Sequence, residues 1–305
     1  MKRSDLFLQR LRLDTATQLP LLMGVCNVTP DSFSDGGEHL RQADAFARVE
    51  QLLAEGADVI DIGGESTRPG AEVVPRDVQL ARTLEVVRYA AHRAPVSIDT
   101  ADPEVAEACL EAGACIVNDV SCLRDARLAR VAAEHGAAFV LMHSRGFQRD
   151  MTTKASIPVY ADVVSEVAAE WEAAADRAAA QGLTRDRLVL DPGFGFAKTA
   201  EHSMALLVGL RALCERLGVP MLIGASRKSF LRLVDPSAGP RDRLGASIGA
   251  AVVAWQRGAA CVRVHDVRAT RQALGMFALA GRPEWQSGIF TREGESISPA
   301  EVKGA

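Results

Sequence analysis

Eight times along this chain of 305 residues a short apolar run ends in a polar residue. The runs are LLMGVCN to Asn27, DVID to Asp61, VSID to Asp99, CIVND to Asn118 and Asp119, AFVLMH to His143, LVLD to Asp191, MLIGAS to Ser226 and Lys228, and CVRVH to Arg263 and His265. Strand-like runs that alternate with helical stretches imply a parallel sheet, because each crossover needs a helix to bring the chain back. Eight repeats imply closure into a single (β/α)₈ TIM barrel of the α/β class, whose active site lies at the C-terminal ends of the strands. A doubly wound open sheet is the alternative, but it would gather function at one switch point, often with a GxGxxG loop. No such loop follows the first run. On the barrel reading, every polar ending faces one mouth.

The helical stretches carry their own punctuation. Ala43 to Glu55 has apolar residues at helical spacing and stops at Gly56. Asp102 and Pro103 open a helix, Asp as cap and Pro at the first helical position, and Gly113 closes it. Val163 to Ala180, Ser203 to Leu217 and, last, Ala246 to Arg257 follow. The reading divides the chain into a lead-in, residues 1–20, without an assigned role, a barrel over 20–282, and a polar tail over 283–305 expected to fray.

A formal net charge of -4 gives no basis for binding a polyanion, so nucleic acid is not expected as a partner. No apolar run reaches the ~20 residues of a membrane span, and the N-terminus lacks a signal-peptide core, so no membrane is expected. The six cysteines form no CxxC pair and no zinc-spaced cluster. They read as structural thiols in a reducing cytoplasm.

The loops after the strands hold the chemistry. NVTPDSFSDGG, from Asn27 to Gly37, carries a large hydrophobe, Phe33, suited to a lid over a flat ligand. In GGESTRPG, Arg68 could hold an anion or form a salt bridge. Asp99, Asn118 and Asp191 offer acceptors and an amide to the edge of a heterocycle bearing amino and ring N–H groups, or else cap the next helices. Phe196, in DPGFGFAK, could stack on an aromatic ring. Lys228, Arg263 and His265, cationic or able to become so, stand after strands 7 and 8, where barrels often bind phosphate. They favour a phosphate or diphosphate, and Asp266 can cap the closing helix.

NVTPDSFSDGG, IDIGGESTRPG, SIDT, NDV, DPGFGFAKT, SRKSF and RVHDV occur in this order over roughly residues 20–280. The ordered set resembles the signatures of dihydropteroate synthase, a pterin-binding enzyme family of folate biosynthesis. The resemblance implies a cytoplasmic, commonly homodimeric barrel. It implies Mg²⁺-dependent condensation of 6-hydroxymethyl-7,8-dihydropterin diphosphate with 4-aminobenzoate to dihydropteroate and diphosphate, open to competition by sulfonamides. Carried over by motif, Asp99, Asn118, Asp191 and Lys228 hold the pterin. Asn27 binds Mg²⁺ and diphosphate, which Thr67, Arg68, Arg263 and His265 surround. Phe33, Pro69, Phe196 and Ser229 form the aminobenzoate site. Asp99, Lys228, Arg263 and His265 are the expected catalytic residues.

The chain departs from the family pattern at Ser144, Ala197, Ser203 and Ser247. Ser144 is expected to alter a wall of the pocket. Two other readings stay open: a pterin-binding methyltransferase domain, which is not expected to keep STRPG, SRKSF and RVHDV together, and a non-catalytic pterin-binding paralogue, which has no need of the anion set.

Overall fold

In the computed structural model the described residues are 1–13, 15, 18–29, 38–66, 73–146 and 159–281, with two short strands in the tail. The eight runs form parallel strands: β1 (Leu21–Asn27), β2 (Val59–Gly63), β3 (Val96–Asp99), β4 (Ile116–Asp119), β5 (Ala138–Met142), β6 (Leu188–Asp191), β7 (Leu222–Ile223) and β8 (Cys261–Val264). Their neighbour order is β6-β5-β4-β3-β2-β1-β8-β7, and a parallel bridge between Leu190 and Met221 joins the two ends into a barrel. Within the tail, Thr291–Arg292 and Glu295–Ser296 pair antiparallel as β9 and β10.

Nine helices are described: α1 (Arg3–Leu11), α2 (Glu38–Ala54), α3 (Arg76–Ala91), α4 (Pro103–Glu111), α5 (Arg127–His135), α6 (Val163–Ala180), α7 (Ala200–Leu217), α8 (Leu244–Gln256) and α9 (Val267–Ala280). The expected cap of α4 is made, with the Asp102 carboxylate accepting from the backbone N–H of Glu104 and Val105. The helix expected to be last, α8, is followed by α9. The buried side of α9 is only Val267, Thr270 and Leu274, too sparse a stripe to stand out in sequence. Asp266 stands at the N-cap of α9 without capping it, because its carboxylate pairs with Arg227 at 2.6 Å. No described helix is long and apolar enough to cross a membrane.

Side chains alternate across a strand, so a closed barrel sorts each strand into inward and outward positions. Met23, Val59, Ile116, Val140, Val189, Leu222 and Cys261 pack together inside the barrel. Ile60, Ile98, Val117, Phe139, Leu141 and Val262 pack in the cluster formed with the helices. Counting in twos toward the C-terminal ends places Asn27, Asp61, Asp99, Asn118, Asp191, Arg263 and His265 on the inward face. Asp119 and His143 fall on the outward face, so the expectation that every polar ending faces the mouth fails for these two. Asp119 instead accepts from Ser121 and Leu123 in the loop after β4, and His143 contacts Glu170 of α6.

The lead-in has a role. Phe7, Leu8 and Leu11 of α1 join the apolar cluster inside the barrel and close the end opposite the mouth. Ser4 Oγ donates to the Gly136 carbonyl at 2.9 Å, and Arg187 pairs with Asp5 at 2.6 Å, which ties the plug to the loops beneath β5 and β6. Emptying this packed space is costly. Phe7→Ala is expected to lower unfolding free energy by about 3–5 kcal/mol in urea titrations, the cost of a large-to-small core change.

Candidate functional site

A cavity of about 1080 Å³ opens at the C-terminal ends of the strands. Asn27 from the end of β1, Phe196 after β6, Ser226, Lys228 and Ser229 after β7, and Arg263 and His265 from β8 line it. Asp99, Asn118 and Asp191 lie deeper, with no more than 5% of their surface exposed. The sequence-predicted residues that are described therefore converge on one mouth. Phe33, Thr67, Arg68 and Pro69 lie outside the described residues.

The floor is organised by Arg263. Its Nε donates to Asp61 Oδ2 at 2.6 Å and its Nη2 to Asp99 Oδ2 at 2.9 Å. The Asn118 amide donates to both Asp61 oxygens at 3.4 Å. Asp61, fully buried, is the site residue that motif reading left without a role. Its signal was there: it shares the inward parity of Asp99 and Asn118, and a fully buried carboxylate calls for a cation. Asp99 keeps its Oδ1 buried and without a hydrogen-bond partner, as is Ser97 Oγ two residues earlier on the same face.

Burial raises the Asp99 pKa, and the adjacent Arg263 guanidinium opposes this. Burial also raises that of Asp191, against the pull of Lys228. Asp191 Oδ1 accepts the Gly193 N–H at 2.7 Å. Lys228 is lowered to about 8 by burial, with Asp191 holding it up, and its Nζ lies 4.5 Å above the centre of the Phe196 ring. One face of the Phe196 ring thus meets a cation.

His265 is pushed down to about 3 by burial and by neighbouring Arg263 and Arg227, so it stands here as a neutral imidazole rather than a cation. Ser226 Oγ accepts from the His265 backbone N–H at 3.3 Å and lies 3.0 Å from Nδ1. If the hydroxyl donates to Nδ1, the neutral ring keeps an Nε2–H donor for an anion. Arg48 of α2, also missed in the sequence, lines the cavity and donates to the His265 carbonyl at 2.7 Å.

The departures from the family pattern are absorbed locally. Ser247 Oγ accepts from the Arg227 N–H and donates to the Arg243 carbonyl, work any β-hydroxyl can do. Ser203 Oγ accepts from the Gly195 N–H at 3.1 Å. Ala197 adopts a left-handed φ of 50°. Ser144 is buried but does not line the cavity, so the altered wall expected there is not formed by its side chain. Among the described residues no cluster of three His, Cys, Asp or Glu side chains could hold a metal alone, and Asn27 offers one amide oxygen at the rim.

Residues 23–265 match the family described as pterin binding enzyme. Dihydropteroate synthase of Mycobacterium leprae is 48% identical over 260 residues, 83% of this chain and 90% of its own length. The structure of Xanthomonas albilineans dihydropteroate synthase with 4-aminobenzoic acid superposes with a TM-score of 0.80 at 42% identity, covering 88% of this chain and 95% of that one. The same enzyme in complex with 7,8-dihydropteroate gives a TM-score of 0.77 at 39% identity, covering 88% and 96%. The chain belongs to the pterin binding enzymes. Within that family, these relatives are dihydropteroate synthases.

The ion triad at the floor yields a stability test. Arg263→Leu removes the cation between two buried carboxylates and is expected to cost about 3–5 kcal/mol near neutral pH. Loss of the guanidinium raises the Asp99 pKa further, so protonation on acidification relieves the unpaired charge. The deficit relative to the unsubstituted protein should therefore shrink as pH falls, read from urea unfolding across a pH series.

Proposed function

We infer that this chain condenses 6-hydroxymethyl-7,8-dihydropterin diphosphate with 4-aminobenzoate, releasing 7,8-dihydropteroate and diphosphate, as a transferase of folate biosynthesis. The observation that carries the reading is the polar floor. A buried carboxylate oxygen of Asp99 lacks a donor beside the Asn118 amide and the Asp191 carboxylate. A pterin edge, with its amino and ring N–H groups, supplies the donors such acceptors lack. A pterin buried there would set its methylene carbon toward the cationic rim.

The bond from that carbon to the diphosphate oxygen breaks, and the aromatic amine forms the new C–N bond and gives up a proton. Negative charge develops on the departing diphosphate, where Lys228, Arg263 and the His265 N–H are placed to receive it. Positive charge on the methylene and ring is offset by Asp99. No protein nucleophile is required, so positioning and electrostatics carry the rate. Phe196 and Ser229 would flank the aminobenzoate.

The residues fit a hard divalent cation that draws most of its ligands from diphosphate and water, with the Asn27 amide oxygen as a protein ligand. Mg²⁺, when bound, supplies charge neutralisation to the leaving group. The apolar side chains Val208, Leu244, Met276, Phe277 and Leu279, exposed on α7, α8 and α9, suit a second copy of the chain as partner. The six unpaired thiols suit the cytoplasm.

The decisive experiment incubates the protein with the pterin diphosphate, 4-aminobenzoate and Mg²⁺ and seeks dihydropteroate by mass spectrometry. Product is expected, and chelation should abolish it. Asp99→Asn should lower turnover on the order of a hundredfold while the circular dichroism spectrum is kept. Pterin binding without product would leave a non-catalytic binder.

A further inference from the structure

Outside the barrel wall, behind the loop that carries Phe196, a buried lysine faces a buried histidine. Lys198 is 4% exposed and His143 fully buried. Lys198 Nζ lies 2.9 Å from His143 Nδ1, 3.3 Å from the His143 carbonyl oxygen and 3.0 Å from the Phe196 carbonyl oxygen. On the far side of the ring, His143 Nε2 lies 2.9 Å from Glu170 Oε2. Arg145 pairs with Glu170 and Glu166 and stacks 3.8 Å over the Tyr160 ring.

These contacts restrict the protons. Arg145 keeps Glu170 ionised by holding its pKa down, so Glu170 only accepts and His143 Nε2 must donate. Two arrangements then satisfy every group. An ammonium can direct its three N–H groups at Nδ1 and the two carbonyls. Alternatively, an imidazolium can donate from Nδ1 to a neutral amine that serves both carbonyls. Each carries one positive charge on the pair. Burial, aided by the nearby Lys198, pushes His143 down to about 4, which favours the proton on lysine.

We propose that Lys198 and His143, sharing one proton, form a positioning pair that anchors the loop after β6 and so holds Phe196 at the aminobenzoate side of the mouth. This rests on the functional reading above. The loop is pressed hard against β5: a Cβ at Gly193, where φ is +70°, would lie 2.0 Å from the His143 carbonyl oxygen. The same loop carries Asp191, whose Oδ1 accepts from the Gly193 N–H. The Lys198 ammonium joins the Phe196 carbonyl to the backbone of His143, just after β5.

The pair is titratable. The groups that face Lys198 are Asp191 from β6, Lys228 after β7, Cys122 after β4, Arg145 and His143 after β5, with Glu170 of α6 behind His143. Burial outweighs Asp191 and lowers Lys198 to about 7. Raising the pH through that value removes the shared proton. Two N–H groups then serve three acceptors, so the contacts to His143 Nδ1 and the two carbonyls can no longer all be kept.

The test uses the whole protein. Lys198→Met should raise KM for 4-aminobenzoate about tenfold, the cost of one buried hydrogen bond, with the affinity for pterin diphosphate changed far less. Lys198→Arg, which keeps a cation and donors, should recover part of the loss. In the unsubstituted enzyme the same KM should climb through about pH 7, and Lys198→Met should lose that step and keep only the one near pH 8 that belongs to Lys228, over the Phe196 ring. A purely structural lysine would lower the active fraction and kcat while leaving that KM and its pH profile alone, and this result overturns the proposal. Should Lys198→Met fail to fold, a profile in the unsubstituted enzyme without a step near pH 7 overturns it equally. Hydrogen exchange of residues 191–199 separates this proposal from the functional reading. Faster exchange there in Lys198→Met, with α7 unchanged, supports the anchor even if no dihydropteroate forms, whereas unchanged exchange overturns it.

Discussion

The guanidinium of Arg263 sits between two carboxylates that water does not reach. Asp61 comes from β2, Asp99 from β3 and Arg263 from β8, so one cation ties three strands across the barrel interior. Removing such charges from water costs several kcal/mol each, and only close pairing offsets it. The rest of the mouth follows from this arrangement. Asn118 turns its amide toward Asp61, Asp99 retains an oxygen without a donor, and Asp191 is left to Lys228 on the other side of the floor. Apolar packing fills the lower barrel, and the charged layer above it gives the molecule its chemistry.

A second charged layer lies on the other side of the wall, where Lys198, His143, Glu170 and Arg145 link β5, the loop after β6, and α6. The two layers differ in how they are balanced. Inside, carboxylates outnumber the guanidinium that joins them, and one Asp99 oxygen is left without a donor. Outside, Lys198, His143, Glu170 and Arg145 find their partners within the chain. The inner layer is thus poised to take a ligand, while the outer one supports the loop that would surround it.

Much of this was legible in the chain. The eight strand endings and the motif residues Asn27, Asp99, Asn118, Asp191, Lys228, Arg263 and His265 came together as their order implied. What escaped reading was parity and partnership. Asp119 and His143 end strands as convincingly as their neighbours, yet a step of one residue turns them to the opposite face. Asp61 stands in the motif IDIGGESTRPG, but nothing local names Arg263, 202 residues away, as its partner. The neutral state of His265 depends on burial, on Arg263 of β8 and on Arg227 from the loop after β7, a combination that no local pattern encodes. Helix α1 buries Ser4, Phe7, Leu8 and Leu11 at helical spacing, but its place as the plug of the barrel depends on distant strands that no local pattern names.

The plug also bears on how the chain reaches its fold. Phe7, Leu8 and Leu11 pack against β1, β4, β5, β6, β7 and β8, and the N–H of Leu21 pairs with the carbonyl of Ala260. Helix α1 therefore has no finished socket until β8 has been made. Contacts this distant in sequence slow folding, since the loop must close before the contact rewards it. Meanwhile α1 keeps three large apolar side chains without their final cover, and the growing barrel keeps an open lower end. The arrival of β8 thus completes the barrel ring beside β1 and the apolar base around α1 together.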